Sequence, residues 1–309
     1  MVNKSPEQTG LSVNKKRLIY IAVAATLILI PAAYIFSISI TQTSPSTAAI
    51  IDQLGSSKLA ANIRFENLTF VEFSEKLLHS RFSVVDYYSD NATIEQYKEL
   101  ASKSYKLIIW RAHSALDLSS KYVAISATDK YNSNYDQYLD NDQLTLCNIT
   151  GDSDLSKIYL GITPKFVTEV MNGRFGGTAI ILMSCNGLRN GYHKTAQAFE
   201  EKGAAVFISW DDWVDFENND CASGLLLQYL ITDNETVSAA ISRIPPYPSE
   251  SGATVHLLYD PEDAANYRIP SYVQNGESTT SQSTQLIIME KLRKTGTLPS
   301  KTNSACWTH

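Results

Sequence analysis

The chain has 309 residues, 44% of them hydrophobic, and a formal net charge of −6. Residues 1–17 carry Lys4, Lys15, Lys16 and Arg17 against Glu7, a net of +3, so the rest of the chain stands at −9. That length fills one substantial core, and an acidic body lacks the positive face nucleic acid requires, which excludes that partner.

Leu18–Ile40 runs for 23 residues without a charge. As a helix it spans roughly 34 Å, enough to cross a bilayer core of about 30 Å, and Pro31 within it is tolerated there as a kink. The stretch is long for a cleaved signal peptide. Basic residues precede it and none follows closely, so residues 1–17 are expected in the cytoplasm and residues 41–309 outside, as in a single-pass cell-membrane protein. Four Asn-x-Thr sequons, at Asn67, Asn91, Asn148 and Asn234, agree with a glycosylated outer part.

After a polar linker at residues 41–47, apolar runs alternate with segments of helical period. Strands are expected at Ala48–Leu54, Phe82–Tyr88, Tyr105–Trp110, Thr178–Ser184, Ala204–Ser209 and Thr254–Leu258, with Tyr122–Ala127 as a hairpin or edge strand. Helices are expected at Phe70–His79, Thr93–Ser102, Thr163–Met171 with a Thr cap and Pro164 at its first position, Thr195–Lys202 closed by Gly203, Asn219–Tyr229 and Val237–Arg243. Near-continuous apolar strands separated by helices indicate an α/β domain over residues 48–270, its mostly parallel sheet sandwiched by helices. Residues 271–309, rich in Ser, Thr and Gln with one helical patch at Gln285–Leu292, are expected to be weakly ordered.

Ligands of such sheets sit beyond the carboxyl ends of the strands. Tyr105–Trp110 runs out into His113-Ser114, and Thr178–Ser184 runs out into Cys185-Asn186-Gly187. If those strands are neighbours, a thiol and an imidazole meet on one rim, the pairing that activates a cysteine nucleophile. His193 is a rival base, whereas His79 and His256 read as structural. Of the other cysteines, Cys147 and Cys221 are available to pair with each other, and Cys306 lies in the tail; an even count in an outer compartment also fits two disulfides.

Strand–His, some seventy residues, then strand–Cys-x-Gly, helix and strand resembles the caspase-type (clan CD) cysteine peptidases and the related CHAT domains. YKLIIWRAHSA resembles their His-bearing strand, TAIILMSCNGLRNG their Cys-bearing strand, and AQAFEEKGAAVFISW the helix and strand that follow. The likeness covers roughly residues 48–262, its specific motifs about forty of them. It implies a hydrolase acting as an endopeptidase on protein or peptide substrates, with His113 as general base, Cys185 as nucleophile, and the backbone N–H groups of Ser114 and Cys185 as oxyanion donors. The group has Gly after the His; this chain has Ser114, which makes that turn less free.

The resemblance also places the pocket for the residue preceding the cut in SWDDWVDF, where Asp211, Asp212 and Asp215 would favour a basic side chain and Trp210 and Trp213 would wall the site. Asp129–Asp142 gathers four aspartates that could hold calcium as in some relatives, although the spacing fits no EF-hand and a solvated loop explains it. No cofactor motif appears, and nothing in the sequence demands an oligomer. The alternative function is an inactive binding or scaffold module of the same fold.

Overall fold

The computed structural model describes residues 46–151, 153–249 and 252–270. The apolar segment Leu18–Ile40, the patch Gln285–Leu292 and the tail lie outside these residues, and among the described residues no helix is long and apolar enough to cross a membrane.

The chain opens with β1 (Thr47–Asp52) and α1 (Leu68–His79), the latter started by Asn67, whose side chain accepts from the Phe70 amide. β2 (Val84–Tyr88) follows, then α2 (Ile94–Glu99) capped by Thr93, then β3 (Leu107–Arg111). An antiparallel excursion comes next: β4 (Ser114–Asp117), β5 (Tyr122–Lys130), α3 (Asp136–Asp140), β6 (Leu144–Cys147) and β7 (Tyr159–Ile162). β8 (Thr178–Met183), α4 (Lys194–Glu201) and β9 (Ala204–Trp210) return to the α/β rhythm. α5 (Phe216–Leu227), α6 (Val237–Ser242) and three short strands, β10 (Tyr247–Pro248), β11 (Thr254–Val255) and β12 (Leu257–Asp260), complete the described part.

The main sheet has the order β2-β1-β3-β8-β9-β12. Its first five strands are parallel, and β12 alone runs antiparallel, against β9. Strand period two sorts side chains between the faces. Ile50, Ile109, Ile181, Ile208 and Trp210 pack with α1, α5 and α6. Ile51, Ile108, Trp110, Ile180 and Phe207 pack with α2, α4 and the second sheet. All these residues are essentially unexposed, and each large one contributes roughly 1.5–3 kcal/mol of transfer free energy. A mostly parallel central sheet covered on both faces is therefore what the apolar runs encode.

Several local expectations change, and Thr254–Leu258, expected as one strand, is divided between β11 and β12, which belong to different sheets. Tyr122–Ala127 does form a hairpin with β4, but as part of β5 it lies inside a four-stranded antiparallel sheet ordered β4-β5-β7-β6, with β7 on its other side. The polar stretch after it holds α3 and β6 rather than loop alone. Thr163 does cap the next helical segment, accepting from the Phe166 amide at 3.3 Å, but Phe166–Val170 winds as a π-helix. Gly203 closes α4 as expected, at φ +104°, where a Cβ would stand 2.3 Å from the Phe175 carbonyl.

Candidate active site

The chain order reverses around β1: β2 lies on one side of it, β3, β8 and β9 on the other. This is the switch point at which open α/β sheets leave a crevice beyond their carboxyl ends. Parallel pairing aligns Arg111 of β3 with Met183 of β8, so His113 and Cys185, each two residues further on, leave the sheet side by side. Both line one cavity of about 520 Å³, together with Leu54, Trp213, Phe216 and Glu217.

His113 is held on three sides. Its backbone N–H donates to Gln53 Oε1 at 3.0 Å, and its carbonyl accepts from the Ser126 amide at 2.9 Å. Gln53 is fully buried, and its amide nitrogen is spent on Ala127 O at 3.3 Å and Ser126 Oγ at 3.4 Å. The imidazole Nε2 lies 2.7 Å from Ile63 O. A carbonyl only accepts, so Nε2 carries the proton and Nδ1 is the basic atom. Phe216 meets the ring edge-on at 5.7 Å and is itself stacked on Phe65 at 4.8 Å. Burial pulls the imidazole below its ordinary value, partly offset by the Ile63 carbonyl, so the neutral base form is favoured.

The strap that supplies Ile63 is fixed in turn. Phe65 N–H donates to Leu54 O at 2.9 Å, Arg64 Nε to Gly55 O at 3.2 Å, and Asp90 takes the hydroxyls of Ser56 and Ser57, each at 2.8 Å.

Cys185 is a half-buried thiol, its Sγ donating to Val214 O at 3.4 Å. The turn after it is tightly built. Asn186 adopts φ +62°, a left-handed conformation that Asn tolerates better than most residues. Gly187 has no room for a side chain, since a Cβ would stand 2.1 Å from Ser209 Oγ. Leu188 and Asn186 donate their amides to Trp210 O at 2.9 Å and Asp212 O at 3.0 Å, which ties the turn to the end of β9.

Ser114 pairs with Ile125 across β4 and β5, and the flanking bond from Ser126 to His113 O marks this as the non-bonded type of pair. In that pairing a residue's own N–H points away from the partner strand. Its hydroxyl donates to Cys185 O at 2.6 Å.

Behind the cleft Arg111 is fully buried between two carboxylates. Its Nε and Nη2 reach Asp220 Oδ1 and Oδ2 at 2.9 and 2.8 Å, and Nη1 contacts Asp52. The guanidinium lies over Phe70 and Phe65, 5.3 and 5.9 Å from the ring centroids. Burial works against the Arg111 charge, but the two carboxylates outweigh it and raise the pKa. Asp220 is also raised, burial prevailing over Arg111 and Asn67. Sequence reasoning missed Asp52, Gln53, Arg111 and Asp220. The signal was there: a charge at the end of an otherwise apolar strand must find a partner.

The other candidates are dispersed. Trp210 is fully buried in the core, donating to Asn219 Oδ1 at 2.8 Å. Asp211 bonds the His256 amide and ring at 2.8 and 3.1 Å, while Asp212 takes Arg189 at 3.2 Å. None of these three lines the cavity, whose wall is instead Trp213, Val214, Asp215 and Glu217. Asp215 spends both oxygens on Asn218, capping α5. His193 pairs with Asp260 at 3.0 Å and does not border the cavity.

Cys221 is disulfide-bonded and Cys147 is a buried thiol, so those two do not pair; burial pushes the Cys147 thiol up to about 12. The aspartates of Asp129–Asp142 serve local structure: Asp129 takes the Ile94 amide at 2.6 Å and Asp142 pairs with Lys165 at 3.3 Å. Among the described residues no group of three or more acidic, His or Cys side chains is placed to hold a metal.

Of the sequons, Asn91 is exposed, Asn148 is exposed and borders the cavity, and Asn234 is exposed with its Oδ1 accepting from Arg81 at 2.7 Å. Asn67 donates its Nδ2, the atom a glycan would occupy, to Asp220 at 2.8 Å. The sequence matches no family model and no curated protein.

Proposed function

We propose that the chain is a caspase-like cysteine endopeptidase, anchored by Leu18–Ile40 with its α/β domain outside the membrane. The observation that carries this reading is the parallel register of β3 and β8, which delivers His113 and Cys185 to one cleft. In the proposed reaction His113 Nδ1 takes the thiol proton as Sγ attacks the scissile carbonyl. The N–H groups of Cys185 and Ser114 hold the oxyanion, and His113 returns the proton to the leaving amine. Water then releases the acyl group from Cys185 by the same base.

Among the described residues no lysine or arginine lines the cavity, while Asp215 and Glu217 do, and the buried Arg111 is taken up by Asp52 and Asp220. This supports a basic or apolar residue before the cut and disfavours an acidic one. A peptide-library assay tests the reading. Wild type cleaves, Cys185→Ala falls by roughly 10³-fold or more, and turnover declines at acid pH, below the ordinary imidazole range, where the buried His113 ring takes up a proton. Equal cleavage by Cys185→Ala would refute it.

Ser114 where the resembled peptidases have Gly favours a second reading, an inactive binding module of the same fold. Failure of Cys185 to alkylate at neutral pH would support that reading.

A further inference from the structure

Ser114 is the position at which this chain departs from the group it resembles, and its side chain is bonded inside the cleft. The hydroxyl donates to Cys185 O at 2.6 Å. The other polar atom of the same peptide unit, Asn186 N–H, donates to Asp212 O at 3.0 Å. The peptide bond that follows the candidate nucleophile is thus gripped at both ends. One grip comes from the first residue of β4, just beyond His113, and the other from the loop leaving β9.

A third connection closes the arrangement. Arg189 Nη1 bridges Asn186 Oδ1 at 2.9 Å and Asp212 Oδ1 at 3.2 Å. Asn186 is 2% exposed and sits in the left-handed region, a conformation that persists only where neighbours hold it.

From this we infer that the Ser114 hydroxyl is a positioning group: it orients the Cys185–Asn186 peptide, and with it Cys185 Sγ relative to His113. The inference rests on the cysteine-peptidase reading and adds a role that the glycine of the resembled peptidases cannot perform. Fixing that carbonyl fixes ψ of Cys185, and so the direction in which its side chain and its own N–H leave the backbone. The same bond fastens the tip of the His-bearing strand to the tip of the Cys-bearing strand, one residue beyond His113. Ser114 accordingly has two separable parts: an N–H that any residue supplies, and a hydroxyl that only Ser or Thr supplies.

The full chain in three variants tests this, with Cys185→Ala as the reference for activity. Ser114→Ala and Ser114→Gly both keep the N–H, and each lowers kcat roughly tenfold with KM within about twofold, the loss expected for one short hydrogen bond that holds a reacting group. Ser114→Thr, which keeps the hydroxyl, retains most of the turnover. Iodoacetamide alkylation of Cys185 gives a readout independent of any substrate. It slows by about three- to tenfold at pH 7 in the Ala and Gly variants and converges with wild type above pH 9.5, where the thiol ionises without help.

A Gly variant as active as wild type, or equal alkylation rates at pH 7, overturns the inference while leaving the peptidase reading intact if Cys185→Ala is inactive. Cleavage that persists in Cys185→Ala overturns the peptidase reading and the inference with it.

Discussion

The buried Arg111 cluster gives the sharpest test of how this site is held up. Replacing Arg111 with Met keeps most of the side-chain volume and leaves Asp52 and Asp220 facing one another with no cation. Both carboxylates are about 1% exposed. Three hydrogen bonds are lost, two to Asp220 and one to Asp52, along with the contacts over Phe70 and Phe65. Removing one member of such a buried set costs about 3–5 kcal/mol, against a total stability of about 5–15 kcal/mol for a domain.

Asp52→Asn removes a charge but leaves Arg111 paired bidentately with Asp220, and its Oδ1 still accepts from the Gly55 amide; about 1–2 kcal/mol is expected. The order of the two costs is the first half of the prediction. The second half is their pH dependence. Without Arg111 the stranded carboxylates bind protons more readily folded than unfolded, so their folded pKa values rise. Protonation then contributes stability at low pH that is lost as pH increases. The Arg111→Met penalty is therefore largest near pH 8 and shrinks toward pH 4. Equilibrium urea unfolding at the two pH values measures it. A penalty below about 1 kcal/mol at pH 8, or one that does not vary with pH, refutes the account of Arg111 as the counter-ion that makes two buried carboxylates tolerable.

Two further outcomes follow from individual side chains. Gly187→Ala drives a Cβ to 2.1 Å from Ser209 Oγ inside β9 and should cost about 1–3 kcal/mol, whereas Gly176→Ala, whose nearest neighbour would be Lys106 Nζ at 3.8 Å, should stay within about 0.5 kcal/mol; equal unfolding midpoints would contradict the packing argument. Glu200 is raised to about 7 by burial and by the nearby charges of Asp260 and Asp263. Its protonated form contributes stability that is complete below about 4.5 and lost as pH rises through about 7. Glu200→Gln should thus raise the melting temperature relative to wild type at pH 8 and leave it nearly unchanged at pH 5, and the same difference at both pH values would sink the assignment.

The framework of the fold was legible because it is written in short-range periodicity. Short continuous apolar runs such as TAIILM, closed by Gly or polar residues, fit strands covered on both faces, and the two strand tips carrying His113 and Cys185 follow from where those runs stop. The antiparallel sheet between β3 and β8 was harder to read, since β4, β6 and β7 are four residues each, set among polar segments. What local pattern cannot supply is a partner far away in sequence. Ile63 O, which fixes the tautomer of His113, lies 50 residues before it. His256, which occupies Asp211, lies 45 residues after it.

The placement of the tryptophans shows where a purely local rule would have sufficed. Val206, Ile208 and Trp210 stand two apart along β9, so the strand period alone puts Trp210 on the same buried face as the two aliphatic residues. Trp213 comes after the strand has ended and escapes that phase; it is 53% exposed and borders the cleft. The same distinction separates the aspartates. Asp211 and Asp212 lie in the turn leaving β9, where a neighbouring backbone or side chain takes each carboxylate. Glu217, on the first turn of α5 beyond the Asp215 cap, faces outward at the cavity wall. The cavity wall beside Cys185 is acidic and aromatic: of the expected residues Trp213 and Asp215 border it and Trp210, Asp211 and Asp212 do not, and Glu217 joins them. Under the proposed peptidase reading, substrate preference should respond to substitutions at Trp213 and Glu217 and be insensitive to Trp210 except through stability.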